Sequence, residues 1–155
     1  MSAALEISAE LSWDMWLHQS TVPLLGSHQI QGVPVVPVVM VVDWCQRLAA
    51  ALYPTLHVRA VKQIAVLKGI RVPQWAQEGL WLQWQGLTRR DKETVELQLT
   101  LQGLDGKPHY RATIDLASSI GRRDHLHERQ LDCLVPWQGD VQTLYPDKLF
   151  HGPEL

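Results

Sequence analysis

Residues 27–44 read SHQIQGVPVVPVVMVVDW: a histidine, then a glycine and two prolines, then an apolar run that stops at a single carboxylate. Proline fixes φ and lacks an amide hydrogen, so Pro37 is suited to open a helix at its first position. From Val38 to Leu52 only Asp43, Gln46 and Arg47 are polar, and Tyr53-Pro54 stops the run. The spacing predicts a helix over 38–52 that is buried on nearly every side. The apolar stretch Val33–Val42 contains two prolines and is well short of the ~18 residues a membrane span needs. It reads as the interior of a globular domain.

The segments around this helix read as strands. Leu5, Ile7, Ala9, Leu11 and Trp13 alternate with Glu6, Ser8, Glu10 and Ser12, the period of a half-buried strand. The span from Trp16 to Gly32 carries Pro23, Gly26 and Gly32 without a sustained period, so it reads as a long loop bearing His28. After the helix come HVRAVKQIAVLKGIRV, GLWLQWQGLTRR, KETVELQLTLQGLDG and KPHYRATIDLASS. In the third, Val95, Leu97, Leu99 and Leu101 face one way and Thr94, Glu96, Gln98 and Thr100 the other, and Tyr110, Ala112, Ile114 and Leu116 repeat the pattern in the fourth. Leu104-Asp105-Gly106-Lys107 joins these two as a hairpin. One strand, one helix and four mostly antiparallel strands make an α+β domain, a curved antiparallel sheet wrapped around a central buried helix. The domain is expected over residues 1–118, with 119–155 as a charged, Pro- and Gly-containing extension.

Composition bounds the function classes. The 155 residues suffice for one domain with a real core, because a chain near 150 residues buries roughly 70% of its unfolded surface. Fourteen basic against 16 acidic residues give a net charge of −2, with no clustered Lys or Arg to attract nucleic acid or an anionic membrane. Cys45 and Cys133 lack metal-ligand spacing and a disulfide framework, so both are expected to be reduced, buried thiols. The N-terminus alternates and carries acids instead of a basic, then apolar, leader, and the cytoplasm is the default expectation.

Among the residues that carry chemistry, His28 stands on the loop ahead of the helix and Asp43 within it. A local reading accounts for Asp43 as well: Asp43 and Arg47 are spaced i, i+4 and would pair on a helix face. His125 and His127 lie in the charged segment RRDHLHER without a third ligand nearby, so no metal site is expected. His18, His57 and His109 have no partners in the sequence. Trp81, Trp84 and the other tryptophans read as core or interface residues, while Trp44 beside Asp43 is placed to line a tunnel.

His28, Gly32 and Pro37 fit the spacing His-x-x-x-Gly-x-x-x-x-Pro between a first strand and a helix, and this resembles the dehydratase domains of polyketide synthases and polyunsaturated fatty acid synthases, which have the hotdog fold. LFHGPEL, residues 149–155, is similar to a Leu-Phe-His-Gly-Pro stretch that follows the first hotdog in those proteins. The resemblance implies a first-hotdog half or a single hotdog that eliminates water from a 3-hydroxyacyl chain on an acyl carrier protein, giving the trans-2-enoyl thioester, without a cofactor or a metal. It implies His28 as the base and a carboxyl group as the acid that protonates the departing hydroxyl. PVVPVVMVVD, residues 34–43, also resembles the single-hotdog dehydratases of fatty acid synthesis, in which histidine and carboxylate come from opposite subunits of a dimer. Asp43 is then the acid, and Gly32, Pro37, Val38 and Trp44 line the substrate. The family places glycine after the motif proline, where this chain has Val38, whose branched side chain is expected to narrow the pocket. The partners implied are the carrier protein and a second copy of the chain or a second hotdog. Two other readings stand beside this one: a pseudo-dehydratase that docks a carrier protein or neighbouring domain without chemistry, and, ranked lower, a hotdog thioesterase.

Overall fold

The computed structural model describes residues 6–91 and 94–119. Strand β1 (Glu6–Leu17) is followed by a 3-10 turn (Pro23–Ser27), a two-residue hairpin of β2 (Gln29–Ile30) and β3 (Val33–Pro34), and helix α1 (Val38–Leu52). Then come β4 (His57–Val66), β5 (Leu80–Arg90), β6 (Thr94–Gly103) and β7 (Pro108–Ala117). The five long strands form one sheet in the order β1-β5-β6-β7-β4, antiparallel throughout. The strand that follows the helix thus returns to the far edge, and α1 packs against β7 and β4.

The alternation expected from the sequence is the alternation seen. Leu82, Trp84, Val95, Leu97, Leu99, Leu101, Tyr110, Ala112, Ile114 and Leu116 are buried on the helix side of the sheet. The opposite face of β5 and β6 carries a ladder of amides, in which Gln85 and Gln102 both donate to Gln83 Oε1, at 2.7 and 3.2 Å. The β6–β7 hairpin turns where expected: Gly106 has φ +77°, and the Lys107 amide donates to Asp105 Oδ1 at 3.2 Å.

The helix spans the expected residues but is buried on one face only. Val41, Cys45 and Ala49, spaced i, i+4, i+8, are its buried residues, whereas Val38, Val39 and Leu52 are exposed by 45%, 65% and 36%. One sheet covers one side of a cylinder, and an apolar sequence does not by itself supply a second layer. Pro37 also differs from the expectation, standing at the N-cap (φ −73°, ψ 147°) and not at the first helical position. The region read as a loop is partly ordered into the 3-10 turn and the β2–β3 hairpin, and β1 runs on to Leu17, beyond the clear alternation.

A tyrosine ties down each end of the helix. The Tyr110 hydroxyl donates to the Val36 carbonyl at 3.1 Å just before the helix starts, and the Tyr53 hydroxyl donates to Thr88 Oγ1 at 2.9 Å just after it ends. Gly79 fixes the approach of the long β4–β5 connection to β1. Its φ is +69°, and a Cβ there would lie 2.5 Å from the Leu17 carbonyl oxygen and 2.6 Å from Trp16 Nε1. His125, His127, Cys133, the LFHGP stretch and the extension from residue 120 onward lie outside the described residues. Among the described residues no helix is long and apolar enough to cross a membrane.

Two consequences are measurable. Leu97 is fully buried in the centre of the sheet, so Leu97→Ala is expected to destabilise the fold by about 3 kcal/mol in urea unfolding, against about 0.5 kcal/mol or less for exposed Val39→Ala. Burial pushes the Cys45 thiol from its ordinary 9.0 up to about 12. Below pH 9 both folded and unfolded thiols are protonated and stability is unaffected; above it the unfolded thiol ionises first, so stability falls as pH rises towards 12. In a Cys133→Ser background, alkylation of Cys45 at pH 8 is expected to be at least ~100-fold slower in the native chain than in denaturant.

Candidate active site

The chain is led to His28 by a series of local constraints. After β1, the Thr21 hydroxyl donates to the Trp16 carbonyl at 2.9 Å, closing the turn. Fully buried Leu25 anchors the 3-10 turn, and the His28 amide donates to its carbonyl at 3.1 Å. Gln31 and Gly32, with φ of 54° and 75°, make the two-residue turn between β2 and β3, the left-handed pair a tight hairpin requires. That turn folds Val35 back onto His28. The Val35 amide donates to the His28 carbonyl at 2.9 Å, and His28 Nδ1 lies 2.6 Å from the Val35 carbonyl oxygen.

This contact sets the tautomer of His28. A carbonyl oxygen only accepts, so Nδ1 carries the hydrogen, and the neutral ring keeps its lone pair on Nε2. The ring is buried, with 6% exposure. The other side of the same segment is held by residues 70–72: the Val36 amide donates to the Ile70 carbonyl at 3.0 Å and the Val72 amide to the Pro34 carbonyl at 2.9 Å. His28, β3 and this strap therefore form one hydrogen-bonded unit at the start of α1.

The other expected residues are spread around this unit. Gly32 is exposed at the hairpin tip, Pro37 caps the helix, and Val38 opens it with its side chain partly in solvent instead of filling the interior. Pro37 provides no side-chain cap, and the first amide to reach back along the helix is that of Met40, to the Pro37 carbonyl at 3.1 Å. The amides of Val38 and Val39 precede it, at the positive end of the helix dipole. Asp43 does not meet His28 within the chain. Its carboxylate is half exposed and accepts from Arg47 Nε at 2.7 Å, the i, i+4 pair weighed from the sequence.

Trp44 lines a cavity of about 220 Å³ between α1 and β1, with Trp13, Met15, Leu48 and Trp84 as its apolar walls. The Trp84 indole donates to Met15 Sδ at 3.4 Å, whereas buried Trp13 Nε1 has no hydrogen-bond partner among the described residues. Reasoning from sequence missed Val35, Ile70 and Tyr110 as supports of the histidine segment, because they act through main-chain groups or across long separations. The Tyr110 pattern could have shown an inward-facing hydroxyl, which needs a buried acceptor. Among the described residues no three His, Cys, Asp or Glu side chains cluster as a metal site.

No protein-family model matches the chain, and no curated protein matches it in sequence. Solved structures do. The (R)-hydratase from A. caviae involved in PHA biosynthesis superposes with a TM-score of 0.55 at 9% identity, over 76% of this chain and 100% of the hydratase. An N-terminal dehydratase from the difficidin assembly line gives 0.53 at 14% identity, over 73% of this chain and 40% of the other. A thioesterase candidate from Lactococcus lactis, YhdA, gives 0.51 at 12% identity, over 70% and 76%. At these identities the likeness speaks for the fold alone: a five-stranded antiparallel sheet packed on a single helix, the hotdog fold, in a form shared by hydratases, dehydratases and thioesterases.

Proposed function

We propose that the chain is a hydro-lyase domain that interconverts a 3-hydroxyacyl thioester and its trans-2-enoyl product, with an acyl carrier protein presenting the chain as in polyketide or polyunsaturated fatty acid synthesis. The observation that carries the reading is the His28–Val35 contact, which leaves the basic nitrogen of a buried imidazole on Nε2 beside the start of the helix. In this scheme Nε2 takes the proton alpha to the thioester carbonyl. The electron pair of that bond forms the new double bond, the C–O bond to the hydroxyl breaks, and a carboxyl group supplies the proton with which water leaves. The Val38 and Val39 amides are the donors available to the thioester oxygen as charge builds there. The Trp44 cavity exceeds the ~150 Å³ in which an apolar protein cavity binds benzene, and serves as the pocket for an acyl tail.

The acid in this scheme is Asp43 of a second copy. Exposed Val38 and Val39 on the helix give a partner an apolar face to cover, and Ile64, Val66 and Leu67 form another at and just beyond the β4 edge, with exposures of 40%, 56% and 48%. The Asp43–Arg47 pair favours a second reading, a non-catalytic module that docks a carrier or neighbouring domain, because it employs the carboxylate locally.

Enoyl absorbance on a 3-hydroxyacyl thioester, followed in both directions, separates the two. Turnover by the wild type, and its loss by about 10³-fold or more in His28→Ala, is the expected result; a wild type without turnover in either direction removes the enzyme reading. A composite site makes a further statement. Mixing inactive His28→Ala with inactive Asp43→Asn is expected to restore about a quarter of wild-type activity, since half of the randomly mixed dimers carry one intact site. Full activity of Asp43→Asn on its own would place the acid elsewhere.

A further inference from the structure

A second feature lies across the strap from His28. Trp16 on β1 stacks on His18 at 4.5 Å with an interplanar angle of 9°, and on its cross-strand neighbour Trp81 at 5.9 Å and 17°. The row is braced: Trp16 Nε1 donates to the Glu78 carbonyl at 3.0 Å, and His18 Nδ1 lies 2.7 Å from the Ser20 hydroxyl. Trp81 ends the row and is 51% exposed. It lines a groove of about 620 Å³ that Trp16 and His18 do not reach. An indole stacked on a braced neighbour and left half open is a platform for a flat or apolar group.

The same groove gathers positive charge, although the chain as a whole is slightly acidic. Lys68, Arg71 and His109 line it, and among the described residues neither Lys68 nor Arg71 makes an ion pair. The groove's carboxylate, Asp105, is taken by Lys107 at 2.7 Å. His109 is held in place, its Nδ1 lying 3.1 Å from the Lys68 carbonyl and its own carbonyl accepting the Leu67 and Lys68 amides at 2.8 and 3.1 Å. Two cations without an ion pair among the described residues and an imidazole, all lining one groove, suit a compact anion, and a phosphate most directly. Arg71 also belongs to the strap, bridging to Val35, whose carbonyl holds His28. The groove and the candidate base are thus two sides of one strand pair.

We infer that this groove binds the phosphate-bearing end of a phosphopantetheine thioester, with Lys68 and Arg71 on the phosphate and Trp81 as the wall against which the neighbouring part of the carrier lies. The inference rests on the acyl-thioester reading and adds where the carrier is gripped. A protein-bound arm and coenzyme A share the pantetheine 4′-phosphate; coenzyme A adds an adenine able to stack on Trp81.

Calorimetric titration of pantetheine 4′-phosphate and of coenzyme A into the full chain at low salt tests this. Both are expected to bind, more weakly as salt rises, and Lys68→Ala/Arg71→Ala is expected to weaken both by about tenfold or more. A several-fold advantage of coenzyme A that Trp81→Leu abolishes assigns the arm to coenzyme A, and equal affinities assign it to a carrier protein; either supports the groove. No binding of either compound at millimolar concentration, or binding indifferent to the double substitution, overturns it. Failure here is separable from failure of the enzyme reading. An N-acetylcysteamine thioester lacks the phosphate, so a wild type that turns it over but binds neither phosphate compound overturns the groove and leaves the enzyme reading standing, whereas a wild type that binds coenzyme A without turning over the thioester does the reverse.

Discussion

Everything around the candidate site depends on how residues 34–36 satisfy their main-chain groups while entering the helix. The segment is buried at Pro34 and Val36, and its freedom is cut by Pro34 and by Pro37 directly after it. Each polar group in it that the fold encloses has to find a partner. The Pro34 carbonyl accepts from Val72, Val35 exchanges bonds with His28, the Val36 amide donates to Ile70, and the Val36 carbonyl accepts from Tyr110. One short stretch is therefore joined to the loop before it, the connection after β4 and the start of β7. The position of His28 and the start of the helix follow from the same set of bonds.

The sheet supplies the rest of the framework by simple alternation. Its inner face packs on one helix stripe and its outer face is closed by side-chain amides and by the Lys62 pairs with Asp115 and Glu96, at 2.8 and 3.9 Å. Both edges are irregular: β1 is bulged between Ile7 and Ala9, and β4 twice, with Gln63 at φ 52°. Bulges of this kind bend a strand and interrupt its pairing. The helix is left with apolar residues in solvent, on the element that also carries Asp43, the acid proposed for a paired site.

Much of the fold was legible because it is written in short periods. The inward sets of β6 and β7, the hairpin at Asp105-Gly106 and the limits of the helix were all readable from residues adjacent in sequence. The degree of helix burial was not, since Val38 and Val39 are as apolar as Val41 and only the placement of a single sheet distinguishes them. At the site, His28 was visible from its neighbours Gly32 and Pro37, and the Asp43–Arg47 pair from its spacing. The strap at residues 70–72 and the Trp16–Trp81 row were not, because they join positions about 35 and 65 apart through β-pairing.

The amino-acid sequence by itself determined the elements and their order, because side-chain periodicity and proline and glycine geometry act within a few residues. It also determined that a histidine would stand just ahead of the helix. The tertiary structure decided which nitrogen of that histidine carries the hydrogen, which helix face is covered, and that Asp43 is engaged by Arg47 within one chain. It also brought Lys68, Arg71, His109 and Trp81 to one groove. These outcomes rest on hydrogen bonds and strand neighbours between distant parts of the chain, and only the assembled sheet brings those parts together.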